Sequence, residues 1–214
     1  MKAVIFSLFV LILFSSCSNN ANTAKTFCDT ACKSDSIQFQ DKGVLNQSLD
    51  ISIKNCNPDT LSWTHGKLKT TRQIQLPDFL NQNIKLNRSA VNCIFQDTTC
   101  AWLYFNDCIS GRGYLLKLPF NKSNDIQKIS GALNNFDPKF SVAPNLVAYT
   151  DRGSIYVVDA VTGKEAQMTF KEEYPIDFMD IHKVLDSINV TRERIYVKLI
   201  KNGNEVPIEK PIAL

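Results

Sequence analysis

The chain has 214 residues, with 24 Lys and Arg against 21 Asp and Glu and a formal net charge of +3. Charges of both signs are interspersed, so no polybasic footprint points to nucleic acid, and that partner class is excluded from the expectation. A chain of this length can bury one sizeable core and is most economically a single domain behind any leader.

Chain order begins with Lys2, then an apolar run from Ala3 to Phe14 interrupted only by Ser7, then Ser15, Ser16 and Cys17. A charged start, a short apolar core and small residues ahead of a cleavage point are the pattern of an export signal. The run is much shorter than the roughly 20 residues a helix needs to span a bilayer. Leu13, Phe14, Ser15, Ser16 and Cys17 resemble the lipobox of bacterial lipoproteins. That resemblance implies removal of residues 1–16, acylation of Cys17 and attachment to a membrane through the lipid. Ser18 stands where that family places an aspartate for inner-membrane retention, so the resemblance implies an outer-membrane location in the cell envelope. From Ser18 to about Ser36 the chain is polar and without apolar periodicity, which reads as a tether over residues 17–36. Residues 37–214 then form one β-rich domain.

Cys28, Cys32, Cys56, Cys93, Cys100 and Cys108 remain once Cys17 is set aside. An even number in an exported chain fits disulfides in an oxidising compartment, although many connectivities are open to six cysteines. Cys93 and Cys100 flank a turn-rich gap and are expected to face each other across a hairpin. Cys28 with Cys32 would close a small loop, leaving Cys56 with Cys108. No pair has the spacing of a zinc knuckle, and no metal is expected.

Past residue 48, short apolar or alternating runs are broken by Asn, Asp, Gly and Pro, a pattern of many strands and tight turns. The expected strands are Leu49 to Ile53, Val91 to Phe95, Ala101 to Phe105, Tyr114 to Leu118, Leu146 to Thr150, Ile155 to Val158 and Ile195 to Ile200. One helical stretch competes, Ile176 to Leu185, where Phe178, Ile181, Val184 and Leu185 recur at spacings of three and four. Ile155, Tyr156 and Val157 recur as Ile195, Tyr196 and Val197, and Gly163 with Glu165 recurs as Gly203 with Glu205, at a constant offset of 40. Strands repeating at about 40 residues are the signature of propeller blades. The expected class is all-β with propeller-like repeats, in a small or incomplete propeller, and the alternative is a disulfide-stapled β-sandwich. Asp137 to Ser141, Ala143 to Asp151 and Ile155 to Asp159 resemble one blade of a TolB-type or WD40-like propeller. That resemblance implies protein interactions in the envelope. The strand and turn from Ile155 to Glu165 are also similar to a quinoprotein blade, but Met168 and Phe170 stand where that family has a tryptophan, so no cofactor is expected.

Catalytic signals are sparse. Ser110 in Ile109 to Gly113 lacks the first glycine of a nucleophile elbow, and Thr162 to Glu165 lack the upstream glycines of a phosphate loop. His65, within Trp63 to Gly66, is expected in a surface turn, and His182 follows Asp177 and Asp180. Aromatics from Trp102 to Tyr114 are expected to be buried more than exposed. The reading is a lipid-anchored envelope protein whose β domain binds a protein or polysaccharide partner and catalyses nothing, with no catalytic, cofactor or metal residues assigned. The alternative is an exported hydrolase or lyase acting on glycans or peptides, built on His65, Asp177, Asp180 and His182.

Overall fold

Period-two burial marks the central strands of the first and last sheets, whereas the central strands of the two middle sheets are buried on both faces. The computed structural model describes residues 26–170 and 183–214. In the first sheet, β1 (Ile37–Asp41), β2 (Gln47–Lys54), β3 (Asn57–His65) and β4 (Thr70–Gln75) pair in chain order, all antiparallel. Leu49, Ile51, Leu61 and Trp63 point inward, whereas their neighbours Ser48, Asp50, Ser62 and Thr64 point out. A two-residue turn of Asn55 and Cys56, both with positive φ (50° and 61°), joins β2 to β3, the geometry that matches strand twist in a tight hairpin. The short helix α1 (Leu76–Leu80) starts with Pro77 in its first turn, where a missing N–H costs nothing, and ends on Asn81 in the left-handed region (φ 56°).

The second sheet takes β5 (Val91–Gln96), β6 (Cys100–Asn106), β7 (Gly113–Pro119) and β8 (Gln127–Ile129) in the same simple order. After β9 (Ala132–Leu133), the chain leaves to make β10 (Phe140–Val142) and returns for β11 (Leu146–Asp151), β12 (Ser154–Asp159) and β13 (Glu165–Thr169). The third sheet is β9, β11, β12 and β13; β10 instead edges the fourth sheet, parallel to β14 (Leu185–Val190), beside β15 (Arg194–Lys201) and β16 (Asn204–Pro211). The Asp137 to Asp159 stretch that resembles one blade therefore contributes to two sheets.

Three buried clusters order the stack. Sheets one and two share Leu49, Ile51, Leu61, Trp63, Leu103, Phe105, Leu116 and Leu118. The opposite face of sheet two, with Cys100, Trp102 and Leu115, meets Val147 and Val158 of sheet three and Ala160 just beyond β12. The opposite face of sheet three meets sheet four, with Ile155 and Val157 packed in one core with Ile195 and Val197.

Each junction has its own geometry. Sheets one and two stack in the same sense, as successive blades do: Gln47 at the start of β2 reaches the Asp97 carbonyl of the β5–β6 turn, and Arg72 on β4 reaches the turn after β7. Sheet three folds back over sheet two, because only Ser130 and Gly131 separate β8 from β9 and Gly163 beyond β12 lies against Gln96 of β5. Sheet four is inverted on sheet three. The residues following β14 reach the place where β12 ends, with Arg192 Nε 3.2 Å from Asp159, although β11 begins at that end. The two Ile-Tyr-Val repeats thus face each other across one core. Among the described residues, no buried cluster joins sheet four to sheet one.

All seven expected strands form. The expected Ile176 to Leu185 helix lies outside the described residues as far as position 182, and Leu185 opens a strand instead. His65 corrects the expectation of a surface turn: it ends β3 with no exposed area, its ring edge-on to Phe120 at 4.9 Å.

Candidate functional site

A concave feature with charged walls is built where the chain enters the body. Residues 26–36 form no helix or strand, and they are fastened at four points. Cys28 is bonded to Cys108 and Cys32 to Cys56; the Phe27 N–H donates to the Cys108 carbonyl at 2.7 Å; Asn87 Nδ2 donates to the Asp29 carbonyl at 3.0 Å. The pairing differs from the expected one. Cys28 is bridged across the fold to the β6–β7 connection, and Cys56 is placed for Cys32 by the tight β2–β3 turn. Cys93 and Cys100 are free thiols. Two disulfides place the protein in an oxidising, extracytoplasmic environment.

The landing side of this strap is rigid for local reasons. Asp107, buried at the end of β6, accepts from Lys85 N–H at 2.8 Å and from Ser110 N–H at 2.9 Å, while Cys108 N–H donates to the Lys85 carbonyl at 2.8 Å. Asn87 caps the 3-10 turn at Arg88–Ala90 by accepting from Ser89 N–H. Ser110, weighed above as a nucleophile, spends its Oγ on Asp107.

Between strap and sheets lies a pocket of about 250 Å³. Ile37, Ile53, Pro58 and Leu86 supply apolar surface; Lys33, Lys85 and Arg88 supply positive charge against one carboxylate, Asp35. Lys85 Nζ donates to the Cys56 carbonyl at 3.1 Å. The Arg88 guanidinium sits 4.0 Å from the centre of the Phe39 ring. Both basic groups are thus aimed by uncharged partners.

Two other hollows offer less. The one between sheets two and three, beside Tyr104 and Asn134, is only about 50 Å³. A groove of about 480 Å³ along β8 contains Arg112 and Lys128 but is a shallower, mainly polar surface, with Asp151 among its walls and Ile129 its one aliphatic side chain.

No protein-family model matches the chain, and no curated protein matches it significantly.

The sequence-assigned residues fare differently. Cys17, Asp177, Asp180 and His182 lie outside the described residues. His65 Nδ1 accepts from Leu68 N–H at 3.2 Å and its Nε2 is buried without a partner among the described residues. Trp102, Phe105 and Tyr114 are buried, as expected for core aromatics. Among the described residues, no three His, Cys, Asp or Glu side chains are grouped to hold a metal, and no helix is long and apolar enough to cross a membrane. Nothing in the local sequence signals the basic residues of the strap pocket, because Lys33 is far in the chain from Lys85 and Arg88 and is brought to them by the fastened strap.

Proposed function

We propose that this protein is a lipid-anchored protein of the cell envelope, held at the outer membrane through Cys17, whose four-sheet body is a non-catalytic binding module for a protein or an envelope polymer. The observation that carries the reading is the doubly bridged strap. The segment leading from the lipobox-like Cys17 joins the body through Cys28 and Cys32, both oxidised, so a pull on the anchor is borne by covalent bonds to sheets one and two. A polar tether would then run only from Cys17 to Cys28. The resemblance to TolB-type blades suggests envelope protein partners, by analogy of fold alone. Burial of His65 weighs against the hydrolase or lyase alternative, since a general acid or base must reach its substrate.

The test is intact mass of the protein purified from membranes of its native host. The expected species begins at Cys17 and carries acyl chains, and a Cys17→Ser variant leaves the membrane fraction. A product with its leader uncut, or with Cys17 unacylated and the protein soluble, overturns the proposal.

A further inference from the structure

The strap pocket has a charge imbalance that its own structure does not use. Among the described residues the ion pairs are Lys139–Asp186, Arg192–Asp159, Arg194–Glu209 and Lys198–Glu205; none involves Lys33, Lys85 or Arg88. Lys85 commits one of its three ammonium protons to a neutral carbonyl, and Arg88 NH1 donates to the neutral Val91 carbonyl at 3.3 Å. Each remains a full positive charge beside apolar walls, where low-dielectric surroundings focus its field. An anion entering here gains charge-assisted hydrogen bonds and displaces no carboxylate. The adjoining Ile37, Ile53 and Leu86 surface favours an anion that carries some hydrocarbon.

We propose that the pocket binds a phosphate group with a short apolar attachment, the chemistry shared by a phospholipid headgroup and a soluble phosphate ester. From the anchored reading it takes only the orientation of the strap toward a bilayer; recognition of phosphate follows from the pocket.

The mature protein, in non-ionic detergent, is titrated calorimetrically with inorganic phosphate and with glycerol 3-phosphate against chloride at matched ionic strength. Native mass spectrometry then scores retention of added phosphatidylglycerol against phosphatidylcholine. Binding of a soluble probe identifies a phosphate-ester site, and selective retention of phosphatidylglycerol alone identifies a headgroup site; both support the proposal. No heat above chloride together with equal retention of the two lipids overturns it. Lys85→Gln and the exposed, fold-neutral Lys33→Gln each weaken the observed binding by about tenfold, and Asp35→Asn strengthens it. Unchanged affinity in all three variants also overturns it. An acylated protein that binds no phosphate sinks this inference alone, and a phosphate-binding protein with bare Cys17 sinks the anchor alone.

Discussion

Cys93 and Cys100 lie on opposite faces of the second sheet. Cys93 is paired with Leu103 and Gln96 with Cys100, so the hairpin loop is residues 97–99 and the two cysteines, at an odd separation, fall on alternate sides of the pleat. Cys93 packs against the core shared with sheet one, and Cys100 belongs to the core shared with sheet three. Hairpin proximity therefore does not bring the sulfurs together. Burial pushes the Cys100 thiol up to about 11 and raises Cys93 as well, with the neighbouring Cys100 adding to it, so little reactive thiolate forms at either site. The expected outcome is that iodoacetamide at pH 8 leaves both untouched in the native protein and alkylates both after denaturation without reductant. A chymotryptic fragment linking Cys93 to Cys100 contradicts the assignment.

The two bridges are expected to differ in worth. Cys28–Cys108 spans 80 residues and Cys32–Cys56 spans 24. On chain-entropy grounds the longer loop contributes about 1 kcal/mol more, from a base of about 3 kcal/mol for the shorter. In urea denaturation, Cys28→Ala with Cys108→Ala should lose more stability than Cys32→Ala with Cys56→Ala. The reverse order would mean that the strap is held chiefly by its hydrogen bonds and pocket contacts.

Strands with dense or alternating apolar residues were legible in the sequence, and mainly polar ones were not. β6, β7, β11 and β12 lie in the two middle sheets, covered on both sides, and show as dense apolar runs. β4, Thr-Thr-Arg-Gln-Ile-Gln, is an edge strand with one solvent face, so Ile74 alone interrupts its polar surface. β16 contains Pro207 and Pro211, which mark a break in a sequence reading but are tolerated on an edge strand. His65 was misplaced because Gly66 suggests a turn one residue too early, whereas the partners that bury it, Gln47 on β2 and Phe120 beyond β7, are distant in the chain. The offset of 40 was a true repeat of strands. Its inversion across the third and fourth sheets depends on β10 crossing over, and no local pattern at Phe140–Val142 signals the sheet it joins.

Close approach between sheets two and three rests on Gly113. A Cβ built there would stand 2.2 Å from the Ala132 carbonyl oxygen, a backbone atom that moves only if β9 moves. Gly113→Ala should cost about 2–3 kcal/mol. Gly203 is the contrast: its turn has open space around it but a φ of +78°, so Gly203→Ala should cost only about 1 kcal/mol through backbone strain. Equal losses in denaturant melts would mean that the sheet-to-sheet approach is looser than 2.2 Å implies.

The inverted fourth sheet is tied to the third at Asp159, and acid should loosen that tie. Burial by itself raises the Asp159 carboxyl, but the N–H groups of Thr162 and Val161 and the Arg192 guanidinium outweigh it and hold the group below the usual carboxylate range. A carboxylate depressed in the folded state contributes stability that is present above its unfolded value of about 3.9 and is lost as the pH falls through the folded one. The thermal midpoint should therefore be flat from pH 7 to 5 and fall below about pH 4. Arg192→Gln removes one source of the depression while leaving both turn N–H donors, so it should lower the midpoint at pH 7 and shrink the further drop on acidification. Asp159→Asn should shrink the drop further still, because no titrating group remains at the junction. If all three proteins lose stability in parallel between pH 5 and 3, the acid response originates elsewhere and Asp159 does not hold the two sheets together through its charge.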